Sequence, residues 1–391
     1  MGADKLRVAH IITQLELGGA QRNTLYTLAH LDRNRFEPTL LCGPGGILDE
    51  EAKGGNGSTI FIPALVRPVR PLKDGLALGW LYKHLRHLKP HIVHTHSSKA
   101  GILGRVAAYL AGVPVIIHTF HGFGFTPGQS PRVRRFYIRL ERWCAHLSTH
   151  LIFVSEANRQ EAAELGIGTG KPSSLIRSGI LLQPAKESTI REELGIPKEA
   201  WVVTSVGNFK PQKNPLDLAK VAEQVLAEDR SIHFLLAGDG ELRKMVETYV
   251  TALEIAPNIH FLGWRQDVSQ ILAGSNCFLL TSLWEGLPRA LVEAYAAGLP
   301  AVAYAVDGVR DILRHNETGF SVQPGDTAFA AQKILWLKQH PEDAHRMGHE
   351  GGKNIAQEFD IDVMVRRQQD LYESTWLAVP MKEYYEPRWS V

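Results

Sequence analysis

Short, continuous apolar runs alternate with longer amphipathic stretches along this chain, and the alternation begins again near its middle. Continuous apolar strands separated by helices are typical of parallel sheets covered by helices on both faces. Two such series predict an α/β protein with two doubly wound domains. The strand-like runs are residues 6–13, 38–42, 59–62, 91–95, 114–119 and 151–154, followed by 201–206, 232–237, 259–262, 277–281 and 301–304.

Helices are predicted between these runs and after the last one. The join between the domains is predicted near residues 178–197, where Gly, Pro and charged residues cluster. We therefore predict an N-terminal domain of residues 1–185, a second domain of residues 186–360, and a helical tail of residues 361–391 that packs back on the body. The main helical stretches are residues 19–31, 74–88, 99–110 and 133–147, then 215–226, 241–253 and 289–297.

Charge is distributed unevenly along a chain that is nearly neutral as a whole. Its 391 residues include 43 Lys and Arg against 41 Asp and Glu, and this net charge of +2 does not indicate a nucleic-acid-binding protein. Residues 1–185 nevertheless carry 22 basic and 12 acidic side chains, and the excess is reversed in the remainder. Halves of opposite charge indicate either domains with different partners or surfaces that attract each other across a cleft.

The spacing of the cysteines and the length of the apolar runs indicate the cellular compartment of the protein. Cys42, Cys144 and Cys277 share no short spacing, which argues against a disulfide framework and against a zinc module. No apolar run reaches 18 residues, and the first residues lack the charged-then-apolar order of a signal peptide. These features predict a cytoplasmic protein.

Ligands of doubly wound folds bind beyond the C-terminal ends of the strands, so the residues after each run are the candidates for a site. Gly18 and Gly19 open a helix after the first strand, and backbone N–H groups at such a helix start suit a phosphate. His121 follows the fifth strand, where it can donate to a substrate oxygen. His94 and His96 alternate along one strand, but no third metal ligand is recognisable nearby, so no metal site is predicted.

Two loops carry the candidate groups of the second half. Lys210 and Lys213 follow the strand of residues 201–206, and two lysines there suit a diphosphate as well as they suit a solvated turn. Glu285 follows a buried strand and Glu293 lies on the next helix. Because carboxylates accept hydrogen bonds from vicinal hydroxyls, this pair can hold two sugar rings, one on each side of a diphosphate. The alternatives are the acid/base pair of a glycosidase and two acids without a ligand.

With these residues the chain resembles a retaining glycosyltransferase of family 4, with the GT-B fold, over nearly its whole length. The resemblance implies two Rossmann-like domains facing a central cleft, where a nucleotide-sugar donor meets a glycan or lipid-linked sugar acceptor. It is carried by the Gly18-Gly19 loop, by residues 94–101, 118–125, 207–213 and 238–241, and by the Glu285…Glu293 pair with seven residues between.

The resemblance also implies roles for single residues. His121, Lys213 and Glu285 would act in catalysis, with His121 near the reacting carbon, Lys213 on the diphosphate and Glu285 on the sugar hydroxyls. Asn208 stands where the family usually has an arginine, so a neutral amide replaces a charged bidentate donor, for which Arg289 or Lys210 can compensate. The implied donor-binding residues are Gly18, Gly19, Asn208, Lys213, Arg265, Glu285, Gly286, Leu287 and Glu293, with Gly286 and Leu287 offering backbone amides, Arg265 near the base and Glu293 on the ribose.

The mechanism predicted from these groups uses no metal. Metal-dependent transferases place an Asp-x-Asp motif directly after a strand, and no such motif follows a predicted strand here. Residues 360–362 match Asp-x-Asp, but they lie late in the chain, next to the predicted helical tail. We expect no cofactor, with the nucleotide sugar as a co-substrate, and we expect Lys213 and loop amides to stabilise the leaving diphosphate. Retention without an evident enzymic nucleophile indicates front-face attack. A UDP-sugar is favoured over GDP-mannose only because it is the commoner donor.

The helix of residues 132–147 carries a stripe of arginines beside an apolar stripe that includes Phe136, Trp143 and Cys144. Such a helix can attract a lipid-diphosphate acceptor or an anionic membrane, which would place the protein at the inner face of the membrane; a solvated basic face is the alternative. Nucleic acid is not expected, because aromatic residues do not interleave with the arginines as stacking platforms would. The candidate acceptor or membrane residues are Arg67, Arg70, Arg135 and Arg139.

The leading prediction is therefore sugar transfer from a nucleotide donor onto a growing polysaccharide or lipid-linked glycan. A nucleotide-sugar epimerase of similar two-domain architecture is a second prediction, and a non-catalytic two-lobed sugar-binding protein is a third. Consumption of the donor without an acceptor would favour the epimerase. Release of a nucleoside diphosphate would exclude the binding protein.

Overall fold

The computed structural model describes residues 5–55, 57–126, 128–182, 188–355 and 358–380. The chain divides into two compact units: Met1–Gly179 with Ile361–Val391 is the first, and Ile180–Asp360 is the second. The predicted boundary between residues 185 and 186 falls among residues 183–187, outside the described residues. The chain therefore leaves the first unit, forms the second, and returns to the first for its last helix.

The described strands of the first unit form a parallel sheet in the order β3-β2-β1-β4-β5-β6-β7. The order reverses between β1 and β4, so this is the switch point at which a doubly wound sheet opens a crevice for ligands. The strands are β1 (Leu6–Gln14), β2 (Phe36–Gly43), β3 (Ser58–Phe61), β4 (Ile92–His96), β5 (Val115–Phe120), β6 (His150–Phe153) and β7 (Ser173–Leu175).

Helices connect these strands and cover the sheet. The third helix begins with Pro71 in its first turn, where proline is tolerated, and buries Ala77, Leu81 and Leu85 at a spacing of four. The fourth helix packs against both the third and the fifth. The helices of this part are α1 (Gly19–His30), α2 (Asp49–Gly54), α3 (Pro71–Leu88), α4 (Ser98–Leu110), α5 (Pro131–Leu147) and α6 (Glu156–Glu164).

The described strands of the second unit also form a parallel sheet, in the order β10-β9-β8-β11-β12-β13. Its switch point lies between β8 and β11. The strands are β8 (Trp201–Val206), β9 (Ile232–Ala237), β10 (Ile259–Gly263), β11 (Cys277–Leu280), β12 (Ala301–Tyr304) and β13 (Gly319–Val322). The helices are α7 (Ile190–Glu193), α8 (Pro215–Glu228), α9 (Arg243–Ala252), α10 (Val268–Ala273), α11 (Arg289–Ala296), α12 (Asp307–Arg310), α13 (Thr327–Gln339) and α14 (Pro341–Ile355).

The last helix, α15 (Ile361–Leu377), packs against α1 in the first unit. Its buried Met364, Val365 and Tyr372 share a core cluster with Val8 of β1 and Ile92 of β4. Helix α15 is thus a cover for one face of the first sheet. Of the predicted tail, residues 381–391 lie outside the described residues.

The predicted class is confirmed, with two doubly wound parallel sheets. The predicted strands agree with the observed ones within two residues at each end. The sequence did not predict β7 and β13, which are three and four residues long, begin with Ser173 and Gly319, and lack a continuous apolar run.

Candidate active site

Two loops of the second unit meet at its switch point. One follows β8 and contains Lys213, and the other follows β11 and contains Glu285. The Lys213 ammonium donates to Oε1 of Glu285, and the two side chains are 23% and 6% exposed. Because β8 and β11 are parallel neighbours, their C-terminal ends lie at one edge of the sheet, and this pairing follows from the topology.

Further hydrogen bonds fasten these two loops to each other. Thr281 Oγ1 donates to the carbonyl oxygens of Lys213 and Asn214, each at 3.1 Å. The Leu283 N–H donates to the Gln212 carbonyl at 2.8 Å, and Gln212 Nε2 returns a bond to the Trp284 carbonyl at 3.0 Å. The lysine and the carboxylate are therefore held in place before any ligand arrives.

The backbone behind Glu285 is closely packed. The Gly308 N–H donates to the Glu285 carbonyl at 3.3 Å, and a Cβ at Gly308 would lie 2.1 Å from the Gly286 carbonyl oxygen. Only glycine fits this approach. Burial raises the pKa of the neighbouring Asp307 carboxyl. Gly286 and Leu287 thus belong to a loop with a fixed path into α11.

Other predicted donor-binding residues lie on the same unit. Glu293 is on α11, where Nη2 of Arg289 approaches its Oε1 at 3.4 Å. Asn208 follows Gly207, and the aliphatic part of Lys213 would be 3.4 Å from a Cβ at Gly207, so the lysine side chain passes over this turn. The structure brings Lys213 to Glu285 and Arg289 to Glu293. A role of Asn208 at the diphosphate stays a prediction.

The guanidinium of Arg265 is engaged by two carboxylates. It donates to Asp267 from Nε at 2.8 Å and from Nη2 at 2.6 Å, and to Glu193 from Nη1 at 2.7 Å. Hydrogen bonds to these acids raise the pKa of Arg265. This side chain therefore fastens the segment after β10 to α7, and contact of Arg265 with a base stays a prediction.

The corresponding edge of the first unit carries Gly18 and Gly19. Gly18 is extended at the start of α1, so a positive φ is not what requires glycine here. Thr13, near the end of β1, shares a hydrogen bond of 2.8 Å with Ser97, which follows β4. The loops at this switch point are thus also joined.

His121 lies directly after β5, half-buried, with its Nε2 3.2 Å from Nδ1 of His96. His96 in turn lies in a buried group with His10 and His94, whose ligand atoms all fall within 4.8 Å of one another. Burial lowers the pKa of His10 to about 3 and the pKa values of His94 and His96 well below the usual value. The third histidine beside His94 and His96, which could not be recognised in the sequence, is therefore His10, and the expectation of no metal stays a prediction.

Sequence reasoning missed His10 because it lies on another strand. The register of β1 and β4 places His10 directly beside His94. The available signal was the alternation along β1, which puts His10 on the same face as Val8 and Ile12. Strand order, which the sequence alone does not give, was needed to bring it to β4.

Two family models match the chain, one in each half. The model described as Glycosyl transferase 4-like domain matches residues 18–172, and the model described as Glycosyl transferases group 1 matches residues 186–354. The chain is 36% identical over 382 residues to the UDP-Gal:alpha-D-GlcNAc-diphosphoundecaprenol alpha-1,3-galactosyltransferase of Escherichia coli, covering 94% of this chain and 97% of the relative. The chain belongs to the glycosyl transferases group 1 family.

Two further comparisons extend this result. The lipopolysaccharide core biosynthesis glycosyltransferase LpsD of Rhizobium meliloti is 25% identical over 382 residues, which are 94% of this chain and 98% of LpsD. The crystal structure of Anabaena Alr3699/HepE in complex with UDP and glucose matches with a TM-score of 0.82 at 19% identity, over 94% of this chain and 100% of that one. The predicted GT-B fold is confirmed, and family membership favours a glycosyltransferase over the epimerase and the sugar-binding protein.

Helix α5 of this glycosyltransferase exposes aromatic and basic side chains together. Phe136 and Trp143 are 61% and 52% exposed, and Arg135 and Arg139 are exposed as well. Of the predicted apolar stripe, Cys144 is buried. The expectation that this helix does not bind nucleic acid stays a prediction.

The opposite face of α5 is fixed by a buried ion pair. Nη2 of Arg105 on α4 donates to Oε2 of Glu141 at 2.6 Å, and both side chains are almost fully buried. Because a buried carboxylate without its partner is costly, this pair sets which side of α5 faces inward. Glu141 could not be recognised in the sequence as a buried residue, because its partner Arg105 lies 36 residues away on another helix.

The remaining predicted basic residues lie before and at the start of α3. Arg67 is exposed and pairs with Glu16, and Arg70 is exposed at the N-cap of α3. The outward side of α3 carries three exposed apolar residues at a spacing of four, Leu72, Leu76 and Trp80. Within the described residues, every helix is too short or too polar to span a bilayer.

Proposed function

We propose that this glycosyltransferase moves a hexosyl unit from a UDP-sugar, with UDP-galactose as the first candidate, to a lipid-linked sugar diphosphate with retention of anomeric configuration. The observation that carries the proposal is the Lys213–Glu285 pair at the switch point of the second unit. A cation and a carboxylate side by side at this edge supply one partner for a diphosphate and one for sugar hydroxyls. By its name, the E. coli relative uses UDP-Gal and a GlcNAc-diphosphoundecaprenol acceptor.

Donor binding would exchange the internal ion pair for two contacts with the ligand. Lys213 would turn to the diphosphate, and the nearly buried Glu285 would accept hydrogen bonds from sugar hydroxyls. Because hydrogen bonds already join the two loops, little reorganisation is needed when charge develops on the leaving group. Glu293 would bind the ribose hydroxyls, and Arg289 beside it would add the positive charge that Asn208 lacks.

The chemistry follows from these contacts. As the bond between the sugar and the diphosphate breaks, the leaving nucleoside diphosphate gains a negative charge, which Lys213 and the amides of the loop at Gly286 would stabilise. The acceptor hydroxyl would attack from the same face of the sugar, and its proton would pass to a phosphate oxygen of the leaving group. The role of His121 at the donor sugar stays a prediction from the family resemblance.

The decisive experiment is transfer with purified enzyme, UDP-galactose and a lipid-linked GlcNAc diphosphate. We expect acceptor-dependent release of UDP, unchanged activity in EDTA, and a product that keeps the anomeric configuration of the donor by NMR.

Absence of transfer from any UDP-sugar would overturn the donor assignment. Loss of activity in EDTA with rescue by magnesium would overturn metal independence, and an inverted product would overturn retention. Donor consumption without an acceptor would point back to an epimerase.

A lipid-linked acceptor would bring the reaction to a membrane surface. The outward face of α5 combines exposed Arg135 and Arg139 with exposed Phe136 and Trp143, a combination typical of helices that lie in the interface of an anionic bilayer. The exposed apolar residues of α3 would add to this contact. We therefore include peripheral membrane binding through the first unit in the proposed function.

A further inference from the structure

One face of the sheet in the first unit carries polar side chains where an apolar core would be expected. Side chains alternate along a strand, so His10 shares a face of β1 with Val8, and His94 and His96 share a face of β4 with Ile92. The register places His10 beside His94 and His96 beside Thr119 of β5. Helix α15 covers this face and inserts the fully buried Tyr372.

These side chains form one continuous chain of hydrogen bonds. From the inside outward, the Tyr372 hydroxyl lies 3.3 Å from Nε2 of His10, Nδ1 of His10 lies 3.0 Å from Nε2 of His96, and Nδ1 of His96 lies 3.2 Å from Nε2 of His121. A branch joins the same hydroxyl to Nδ1 of His94 at 2.6 Å. Nε2 of His94 continues this branch to Thr119 at 2.7 Å.

Burial keeps the inner imidazoles neutral, because it lowers the pKa values of His10, His94 and His96 far below neutrality. A neutral imidazole has one N–H and one lone pair, so it donates on one side and accepts on the other. In an unbroken row of such rings the direction of one hydrogen bond fixes the direction of the next. The tautomer of the last ring then depends on the first group.

We call the hydrogen-bonded series Tyr372, His10, His96 and His121 the row. The hydrogen-bond lengths at Tyr372 indicate which partner donates in each of its hydrogen bonds. A hydroxyl has one proton, and O–H donors make shorter bonds than ring N–H donors. The 2.6 Å contact with His94 is therefore the one that the hydroxyl donates, whereas the 3.3 Å contact is one that it accepts from Nε2–H of His10. Gln368, at 3.5 Å, is too far to compete for the proton. His10 then accepts from His96 at Nδ1, and His96 accepts from His121.

We propose that Tyr372, His10 and His96 are positioning residues that hold His121 as the tautomer with its proton on Nε2, leaving the lone pair on Nδ1 as the acceptor for a hydroxyl of the substrate. The inference rests on the proposed function for the part that concerns substrate. It also revises the expectation that His121 donates to a substrate oxygen.

The burial of the residues in the row agrees with an influence of Tyr372 on His121. Tyr372 is sealed at the inner end, whereas His96 and His121 border a small cavity of about 10 Å³, close to the space that one water centre needs, together with Arg177 and Ser178. The row therefore opens at His121 and is closed at Tyr372.

A metal ion is the alternative occupant of the histidine group, because three ligand atoms lie within 4.8 Å of one another. Every ring nitrogen of His10, His94 and His96 already has a hydrogen-bond partner in the structure. A site built for a metal would direct three nitrogens to one point instead. The hydrogen-bonded row accounts for the group without an ion.

The test uses the full-length protein with ¹⁵N-labelled histidine. Two-bond ¹H–¹⁵N NMR correlations report which ring nitrogen carries the proton, and a His121→Gln variant identifies the His121 signals. We expect wild-type His121 to be protonated on Nε2. Tyr372→Phe should convert it to a mixture of tautomers and lower kcat about tenfold, with the KM for the donor changed less than about twofold.

Tyr26→Phe is the matched control. It also removes a hydroxyl that ties α1 to α15, through a 2.7 Å bond from Tyr26 to Asp362, but it lies outside the row. We expect it to leave the His121 tautomer and kcat unchanged.

Three results would overturn the inference: a wild-type His121 protonated on Nδ1, a signal that responds equally to both tyrosine variants, or stoichiometric zinc whose removal shifts His10, His94 and His96. The first and third need no variant. If wild type shows no glycosyl transfer while Tyr372→Phe still changes the His121 tautomer, the row is supported and the proposed function fails.

Discussion

Lys213 and Glu285 satisfy each other's charge at the edge of the sheet where a ligand is expected. An ion pair of this kind offsets part of the cost of removing a nearly buried carboxylate from water, because the neighbouring ammonium supplies a partner of opposite charge. It also means that any ligand must offer both a negative group and hydrogen-bond donors to take the place of the pair. A sugar attached to a diphosphate offers both.

Glu285→Ala should therefore separate sugar recognition from nucleotide recognition. We expect a loss of about 2–4 kcal/mol in transition-state stabilisation, measured as kcat/KM. Binding of UDP without a sugar, measured by calorimetry, should change little because Lys213 remains. Glu317→Ala is the control, since Glu317 is exposed and forms a 3.8 Å ion pair with Arg314, which is exposed as well. Wild-type kcat/KM in Glu285→Ala would show that the carboxylate does not hold the sugar.

At the level of elements, α5 faces two environments. Its inner side is fixed by the Glu141 pair with Arg105, and its outer side presents arginines between exposed aromatic rings. Fixing the inner side prevents the helix from rotating to bury Phe136 and Trp143. In the membrane-bound state that we propose, the free-energy cost of exposing two aromatic rings to water would be recovered by burying them in the bilayer.

Charge reversal on α5 tests this interpretation. Arg135→Glu with Arg139→Glu should weaken binding to anionic vesicles at low salt by about 2 kcal/mol or more, because each basic residue near such a surface contributes about 1 kcal/mol. Flotation with vesicles containing phosphatidylglycerol measures the bound fraction. Arg346→Glu on α14 of the second unit is the matched control. A wild-type protein that stays with the soluble fraction at low salt would exclude membrane binding by α5.

At the scale of the molecule, the two units differ in how acid affects them. His10, His94, His96 and His118 are buried in the first unit, and burial lowers the pKa of each below 6.5. In the unfolded chain they take up protons below about pH 6.5, whereas folded His10 does so only near pH 3. The first unit therefore loses stability as the pH falls from about 6.5 toward 3.

The second unit has two histidines whose pKa burial also lowers, His233 on β9 and His260 on β10, but both are only partly buried, and it has a carboxyl that responds at lower pH. Hydrogen bonds from Lys338 and Ser231 lower the pKa of Asp229 to about 2, so its stabilising contribution is present above the unfolded carboxyl pKa and is lost only as the pH falls toward 2. Amide exchange at pH 7.5 and 5.5 should thus show a larger decrease in the free energy of opening for β1 and β4 than for β8 and β9. Equal decreases in the two sheets would contradict neutral burial of the histidines.

How much the sequence predicts depends on the range of the contacts. Apolar runs and amphipathic stretches are local, and they predicted the strands well; the loops after β8 and β11 follow from the same rhythm together with the family resemblance. His10, Glu141 and the membership of α15 depend on strand order and on partners far along the chain, such as Arg105 for Glu141. From sequence alone, a buried polar residue is predicted to be solvent-exposed, because the partners that satisfy its hydrogen bonds are not known.

The return of the chain to the first unit has a consequence for its assembly. A ribosome releases residues in order, so the inserted unit, continuous from Ile180 to Asp360, can complete its sheet while the earlier sheet still lacks the helix that closes it. Until Ile361–Leu377 emerges, the apolar face with Ile92 and its buried histidines stays open to water. A fragment that ends at Gly179 should consequently aggregate through this exposed apolar face unless a chaperone binds it. Adding the terminal helix as a separate peptide should restore its solubility.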